Sequence, residues 1–257
     1  MVSTVEKQTE LARCLLDMGA LLLDCGAEIS RVEDTMCRMG KAYGARHMEA
    51  FVITSIIILT MDFGNEDAIT ETRRIYSSAG NDFYRLEKLN ELSRACCVSP
   101  LPVAELREKL EHVAAGKKPE KVILGGSILA AGGFAVFFGG TIWDGFAAAV
   151  FALLICFLQK QFGNTQISTA GSNLFISFLA GLGVGALCEL VPMLHMDKIL
   201  IGDIMLLIPG IAMTNSIRNI LGGNTISGAV RLLESLIWAA ALAGGFMTAM
   251  LIIELLF

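Results

Sequence analysis

Residues 204–235 read IMLLIPGIAMTNSIRNILGGNTISGAVRLLES, an apolar segment that contains a Pro-Gly pair and then polar side chains at helical spacing. Pro209 lacks a backbone donor and Gly210 weakens the same turn, so a helix that reaches them should break or kink. Irregular backbone at membrane depth is tolerated only against protein or a water-lined cavity. This stretch therefore predicts a broken membrane helix that holds a polar site.

The charged residues are unevenly distributed along the 257-residue chain. There are 20 Lys and Arg and 25 Asp and Glu, and only ten of these follow residue 121. An ordinary soluble composition is thus followed by a lipid-soluble one. We expect a cytoplasmic α+β domain at 1–116, a basic linker at 117–121 and a transmembrane domain at 122–257.

Five apolar windows are long enough to cross ~30 Å of hydrocarbon, which takes about 20 helical residues. They cover roughly 122–140, 142–159, 171–193, 198–220 and 229–257. The predicted fold class is a membrane protein, in which a small α+β cytoplasmic domain precedes an α-helical bundle of five transmembrane helices. The fourth of these helices should be broken at Pro209 and Gly210.

The basic residues predict the orientation of the chain in a cell inner (plasma) membrane. Lys198 alone falls on the outer side, and the others fall on or near the cytoplasmic side: Lys117, Lys118, Lys121, Lys160, Arg218 and Arg231. This asymmetry indicates a cytoplasmic amino terminus and an outer carboxyl terminus. The first residues lack a basic leader, so no signal peptide is expected. The net charge of −5 is spread without a basic stripe, which argues against nucleic acid as a partner.

The amino-terminal part begins with two predicted helices, whose apolar faces repeat at helical spacing. The first face is Leu11, Leu15, Met18 and Leu22, and the second is Val32, Met36, Met39 and Tyr43. Between them, Gly26 suits the left-handed position that ends a helix, and Ser30 with Glu33 matches a capping box that begins one.

The next segments predict two strands and two more helices. The β-branched run at 51–62 predicts one buried strand, FGNED a turn, and 69–78 a second, more exposed strand. Helical periodicity returns at 82–97 and 103–115, with Pro102 near a helix start.

Glycines recur in the first predicted crossing at a seven-residue interval, as the pairs Gly125/Gly126, Gly132/Gly133 and Gly139/Gly140. Small residues on one face let membrane helices approach closely, so we interpret these pairs as positions that pack against another crossing or another subunit. The same reasoning applies to Gly181, Gly183 and Gly185 in the third crossing.

Polar residues around the break are the candidate site, because ionisable side chains inside a membrane domain are costly. Residues three or four apart share a helix face, which groups Thr214 and Asn215 with Arg218. The same spacing groups Ser227 and Arg231 with Glu234, and Asp203 precedes the break. The predicted substrate-binding set is Asp203, Pro209, Gly210, Thr214, Asn215, Arg218, Ser227, Arg231 and Glu234.

A guanidinium binds a carboxylate bidentately, and a carboxylate can hold an ammonium group or a proton, so the set fits a small zwitterion or acid. A simpler interpretation remains open. Arg231 and Glu234 would neutralise each other at the interface, Arg218 would extend to the headgroups, and Asp144 beside Trp143 would be an interfacial residue.

No cofactor, metal site or enzyme activity is predicted. The seven cysteines show no repeated C-x-x-C spacing, and His47, His112 and His195 have no ligand-spaced partner. A membrane hydrolase would need an activated nucleophile, and no G-x-S-x-G elbow surrounds Ser127, Ser172 or Ser227. A scaffold subunit, anchored by the membrane part, is a further alternative.

Two stretches, GAEISRVEDT at 26–35 and KILIGDIMLLIPGIAMTNSIRNILGGNTISGAVRLLES at 198–235, closely resemble the characteristic motifs of the threonine/serine exporter family. The resemblance covers nearly the whole chain and implies export of small amino acids driven by the proton motive force, although some relatives are associated with succinate or similar dicarboxylates. It implies a cytoplasmic motif of Glu28, Arg31, Glu33 and Asp34. The positions that match the membrane motif are Asp203, Pro209, Gly210, Thr214, Asn215, Arg218, Gly222, Gly228, Arg231 and Glu234.

This chain departs from that family pattern in two respects. Asn219 and Asn224 stand where many relatives carry acidic residues, which weakens a proton-coupling role at those positions. The chain also resembles only the amino-terminal half of full-size members. The resemblance therefore implies a second small membrane subunit of the same family, or a homo-oligomer, as partner.

Overall fold

The computed structural model describes residues 4–64, 67–75, 81–116, 120–163 and 167–256. Within these ranges the chain forms ten helices and three strands. It divides into two compact units, the first comprising Met1–Lys118 and Thr214–Leu232, the second Pro119–Met213 and Leu233–Phe257. Lys117 and Lys118 of the predicted basic linker lie outside the described residues.

Four helices and a sheet form most of the first unit. The helices are α1 (Thr4–Asp24), α2 (Ile29–Ala42), α3 (Phe83–Val98) and α4 (Val103–Ala115). The apolar faces predicted for α1 and α2 are buried in one core with Leu89 and Leu106. Gly26, between α1 and α2, has a φ of 87°, so its predicted left-handed conformation is confirmed.

The sheet is an antiparallel meander in the order β1 (His47–Ile53), β2 (Ile56–Asp62) and β3 (Ile69–Arg74). The prediction of a single strand over 51–62 is wrong, because a two-residue turn at Thr54 and Ser55 divides that run into two strands. Alternate residues of β2 (Ile57, Leu59 and Met61) point into the core. Residues 76–78 of the other predicted strand lie outside the described residues.

The predicted capping box at Ser30 is also wrong. Helix α2 begins at Ile29, its N-cap is Glu28, and no side chain caps it. The Glu33 carboxylate accepts a hydrogen bond from the Val52 N–H on β1 at 3.1 Å instead. Because Glu33 bonds to Val52, it does not cap the start of α2 as its spacing from Ser30 had predicted.

The second unit contains α5 (Glu120–Phe137), α6 (Ile142–Phe162), α7 (Thr169–Leu190) and α8 (Met196–Leu207). Two further helices, α9 (Gly210–Leu221) and α10 (Thr225–Leu256), each contribute residues to both units. Four helices of the described chain (α5, α6, α7 and α10) are long and apolar enough to cross a membrane. The pair α8 and α9 would be a fifth crossing, bent by 52°.

The bend lies at the residues for which a break was predicted. Helix α8 ends at Leu207 and α9 begins at Gly210, so Ile208 and Pro209 fall between them. The Pro209 carbonyl accepts the N–H of Met213 at 3.0 Å, which restarts the helical hydrogen bonding. The chain is thus a predominantly helical membrane protein with a small antiparallel sheet.

Small residues fill the interior of the second unit, while large apolar side chains cover its outside. Gly132 of α5 and Gly145 of α6 each lie against the other's backbone carbonyl, and Gly181 and Gly185 of α7 lie against α10. The predicted packing role is therefore correct at these positions. At Gly125, Gly126 and Gly133 an added Cβ would meet no described atom within 4 Å, so packing of these positions against another subunit stays a prediction.

Candidate functional site

The two sequence motifs meet inside the first unit, through Arg218 and Glu28. Arg218 lies on α9, and its Nη1 donates to Oε1 of Glu28, the N-cap residue of α2. The Glu28 side chain is 16% exposed, whereas that of Arg218 is 63% exposed. The contact thus pairs a largely enclosed carboxylate with a guanidinium that keeps much of its surface open.

Asn215 adds a second hydrogen bond, from the same face of α9. Its Nδ2 donates to the Gly26 carbonyl at 3.3 Å, and it precedes Arg218 by three residues, a spacing that places both side chains on one face. The left-handed conformation of Gly26 allows the tight turn between α1 and α2. The α1–α2 turn is therefore held by an amide at Gly26 and a guanidinium at Glu28.

A close hairpin between α9 and α10 positions this face. Gly223 adopts a φ of 93° in the turn, and the Asn224 N–H donates to the Asn219 carbonyl at 2.9 Å. Gly228 of α10 lies against the backbone at Ser216 and Ile220, where a larger residue would clash. Gly228 therefore lets the two helices approach closely enough to fix the direction of α9.

Polar side chains are buried along this hairpin. Ser216, Asn219 and Ser227 are each less than 6% exposed. Ser227 was predicted as a site residue, whereas Ser216 and Asn219 were not. The i, i+3 spacing of Ser216 and Asn219 places both side chains on one face of α9. The sequence alone does not show that this face is buried.

The other predicted residues of the membrane motif occupy different surroundings. Thr214 is exposed and Arg231 partly buried in the first unit, while Glu234 is exposed and belongs to the second. Pro209 and Gly210 form the break itself. Asn215 and Arg218 are predicted residues with a described contact to the amino-terminal stretch 26–35, and the grouping of the remaining residues stays a prediction.

The cytoplasmic motif also separates into different roles. Asp34 pairs with Arg38 at 2.9 Å on the exposed side of α2, and Arg31 is exposed. Partial burial raises the pKa of the Glu33 carboxyl, an effect that its hydrogen bond from Val52 opposes. Glu28 is the member of this motif that contacts the membrane motif.

Asp203 is the most enclosed of the predicted residues. It lies on α8 in the second unit, is 0% exposed, and neither carboxylate oxygen has a hydrogen-bond partner among the described residues. Buried polar groups are almost always hydrogen-bonded, so this carboxyl group is exceptional.

The structure gives Asp144 a specific structural role, while its predicted position at the membrane interface stays a prediction. It is fully buried at the start of α6, where it forms a capping box with Thr141. Its carboxylate also accepts the His195 backbone N–H at 2.7 Å and lies 3.0 Å from the His195 Nδ1. These contacts join the α5–α6 turn to the α7–α8 turn. The Thr-x-x-Asp spacing could have indicated the cap, but not the contact with His195.

Several helices long and apolar enough to cross a membrane, together with a helix pair broken at proline, fit a multi-pass membrane protein of the transporter class. Residues 13–253 match the family model described as "Putative threonine/serine exporter". The chain therefore belongs to the threonine/serine exporter family, as its motifs had predicted.

A curated relative from Klebsiella aerogenes is similar along nearly its whole length. It is described as "Probable succinate transporter subunit YjjP", is 20% identical over 243 residues, and the match covers 94% of this chain and 91% of the relative. No solved structure matches the chain.

Proposed function

We propose that this chain is a subunit of an inner-membrane secondary transporter that exports small amino acids, with threonine and serine as the substrates that best suit its charged pair. Arg218 and Asn215 would bind the substrate carboxylate, and Glu28 would bind the ammonium group. The observation that carries the proposal is the contact between Arg218 and Glu28, which joins the two motifs.

The geometry supports this assignment because the Glu28 carboxylate contacts the Arg218 guanidinium in the same way as a substrate carboxylate would. A guanidinium is a planar fork that suits carboxylates, and Arg218 keeps 63% of its side chain exposed. A zwitterion that inserts between the two side chains satisfies both charges. The site therefore exchanges one internal ion pair for two pairs with the substrate.

A dicarboxylate such as succinate is the second candidate, favoured by the name of the Klebsiella relative. In that case Arg218 and Arg231 would provide the positive charges, and Glu28 would have to move away from Arg218. Repulsion between Glu28 and the second substrate carboxylate makes this arrangement less favourable than zwitterion binding.

The remaining features of the proposal concern orientation, partner and energy source. Lys160 pairs with Glu120 at 2.8 Å, which joins the end of α6 to the start of α5 at the end that the basic residues place in the cytoplasm. We place the amino terminus inside and the carboxyl terminus outside. A second membrane subunit of the same family completes the carrier, or a second copy of this chain does, and the proton motive force drives export.

The test is uptake of labelled threonine, serine and succinate into inside-out vesicles that contain the chain, with and without a candidate second subunit and an imposed proton gradient. Arg218→Ala should abolish saturable flux while membrane insertion stays normal. Arg38→Ala is the matched control, because Arg38 is an exposed arginine of the same unit that pairs only locally with Asp34. Wild-type flux in the Arg218→Ala protein would refute the assigned site. Absence of any flux in the wild-type protein with its partner would favour the scaffold alternative.

A further inference from the structure

Asp203 has a chemical environment that the binding of an amino acid does not explain. Its carboxyl group is fully buried in the second unit, and both oxygens are without a hydrogen-bond partner in the described part of the chain. It lies six residues before Pro209, on the helix that ends at the break.

The helices that pack against α8 supply no compensating charge. Residues of α5, α6 and α7 contact α8. The adjacent Gly202 lies against the Ala131 carbonyl of α5, which leaves no space for a polar side chain between these backbones. The charged residues of α5, α6 and α7 are in the terminal turns of those helices: Glu120, Lys121, Asp144, Lys160 and Glu189.

The other titratable groups nearby do not pair with Asp203 either. Asp197, in the first turn of α8, pairs with Lys198 at 3.0 Å. The thiols of Cys156 on α6 and Cys188 on α7 make no hydrogen bond to the Asp203 carboxyl group, since both of its oxygens are unpartnered. Within α5, α6, α7 and α8, no described positive charge therefore offsets a negative charge on Asp203.

An ionised carboxylate in such surroundings is strongly disfavoured, because burial removes its hydration and no counter-ion or hydrogen bond replaces it. The neutral acid carries no charge and loses far less hydration free energy on burial. We propose that Asp203 is the proton-binding group of this carrier and that it holds its proton while it is buried. This inference rests on the proposed transport function, which it extends by naming the residue that couples proton movement to export.

The coupling step is a reversible proton transfer between the Asp203 carboxyl group and water. While its carboxyl group is buried, Asp203 holds the proton. When it releases that proton to water on the cytoplasmic side, the carboxylate requires solvent, so the protein must adopt an arrangement that hydrates it. Export then proceeds when a proton from the outer side restores the neutral acid and allows Asp203 to be buried again.

Two measurements on the full-length chain in membranes test the assignment. The first is infrared difference spectroscopy between acidic and alkaline samples, in which a protonated buried carboxyl group gives a distinct C=O band. We expect Asp203→Asn to remove this band. The matched control is Asp197→Asn, because Asp197 is a 64% exposed aspartate on the same helix.

The second measurement tests coupling in the vesicle assay with the partner present. Asp203→Asn should lose stimulation by the proton gradient, so that any flux it supports is the same with and without the gradient. Gradient-stimulated flux in Asp203→Asn, or an infrared band that persists in it, would overturn the proposal. If Asp203→Asn fails to insert, Asp203→Glu should shift the band, and an unshifted band would equally overturn it. Absence of wild-type flux would refute the transport function alone, because the infrared result does not depend on transport.

Discussion

Replacing Glu28 by Gln tests how the charged pair selects its substrate. The variant removes the negative charge from the partner of Arg218 and keeps an oxygen that can accept its hydrogen bond. In the proposed site, a dicarboxylate would have to displace Glu28 from the guanidinium. An amino acid would also displace it, but would in addition bind Glu28 through its ammonium group.

The magnitude follows from the exposure of the pair. Exposed ion pairs contribute about 0.2–1 kcal/mol, and the enclosed position of Glu28 places this one near ~1 kcal/mol even though Arg218 is largely solvated. Since ~1.4 kcal/mol corresponds to a factor of ten, loss of the pair should lower the KM for succinate about fivefold. For threonine, loss of the ammonium contact offsets this gain, so its KM should change by less than about twofold.

The assay is the initial rate of uptake into inside-out vesicles at a series of threonine and succinate concentrations. Asp34→Asn is the control, because Asp34 belongs to the same motif but pairs with Arg38 on the exposed side of α2. An equal fall in KM for both substrates would show that Glu28 does not bind the ammonium group. An unchanged KM for both would show that the pair is not at the binding site.

Two further predictions concern stability. Burial raises the pKa of Glu33, so the folded chain holds that proton more tightly than the unfolded chain. The resulting stabilisation is fully present below the unfolded pKa of about 4.3 and is lost as pH rises through the folded pKa. Glu33→Gln should therefore remove this decline and give the more stable protein at neutral pH. Melting temperatures that vary with pH in parallel in the two proteins would contradict the reasoning. Gly245→Ala should destabilise the detergent-solubilised protein by about 1–3 kcal/mol, since its methyl group would overlap the Leu174 carbonyl of α7. Gly244→Ala, where an added Cβ meets no described atom within 4 Å, should cause no loss, and equal melting temperatures for the two variants would exclude the packing role.

Local signals in the sequence account for much of the fold. The apolar periodicity of α1 and α2 predicts their buried faces, because helix geometry and burial repeat over the same few residues. The break at Pro209 is predicted for the same reason, since proline acts on its own turn. Gly26 is likewise recognisable as the end of α1.

The features that the sequence did not reveal have a weak local signal or depend on residues far apart in the chain. The turn at Thr54 and Ser55 contains no Gly, Pro, Asn or Asp and lies between Ile53 and Ile56, so it carries no strong turn signal. Glu33 matches a capping box but bonds to Val52, nineteen residues later. Glu28 and Arg218 are 190 residues apart, and no spacing rule predicts their contact.

The contacts of Asp144 also determine which positions can vary as the family diverges. One of its oxygens accepts the main-chain N–H at position 195, a donor that every residue except proline supplies. Substitutions at 195 can therefore accumulate without loss of that hydrogen bond, whereas position 144 must retain an acceptor of the same length. The join between these two turns thus depends on the side chain at position 144 and on a main-chain donor at position 195 that does not depend on which non-proline residue stands there.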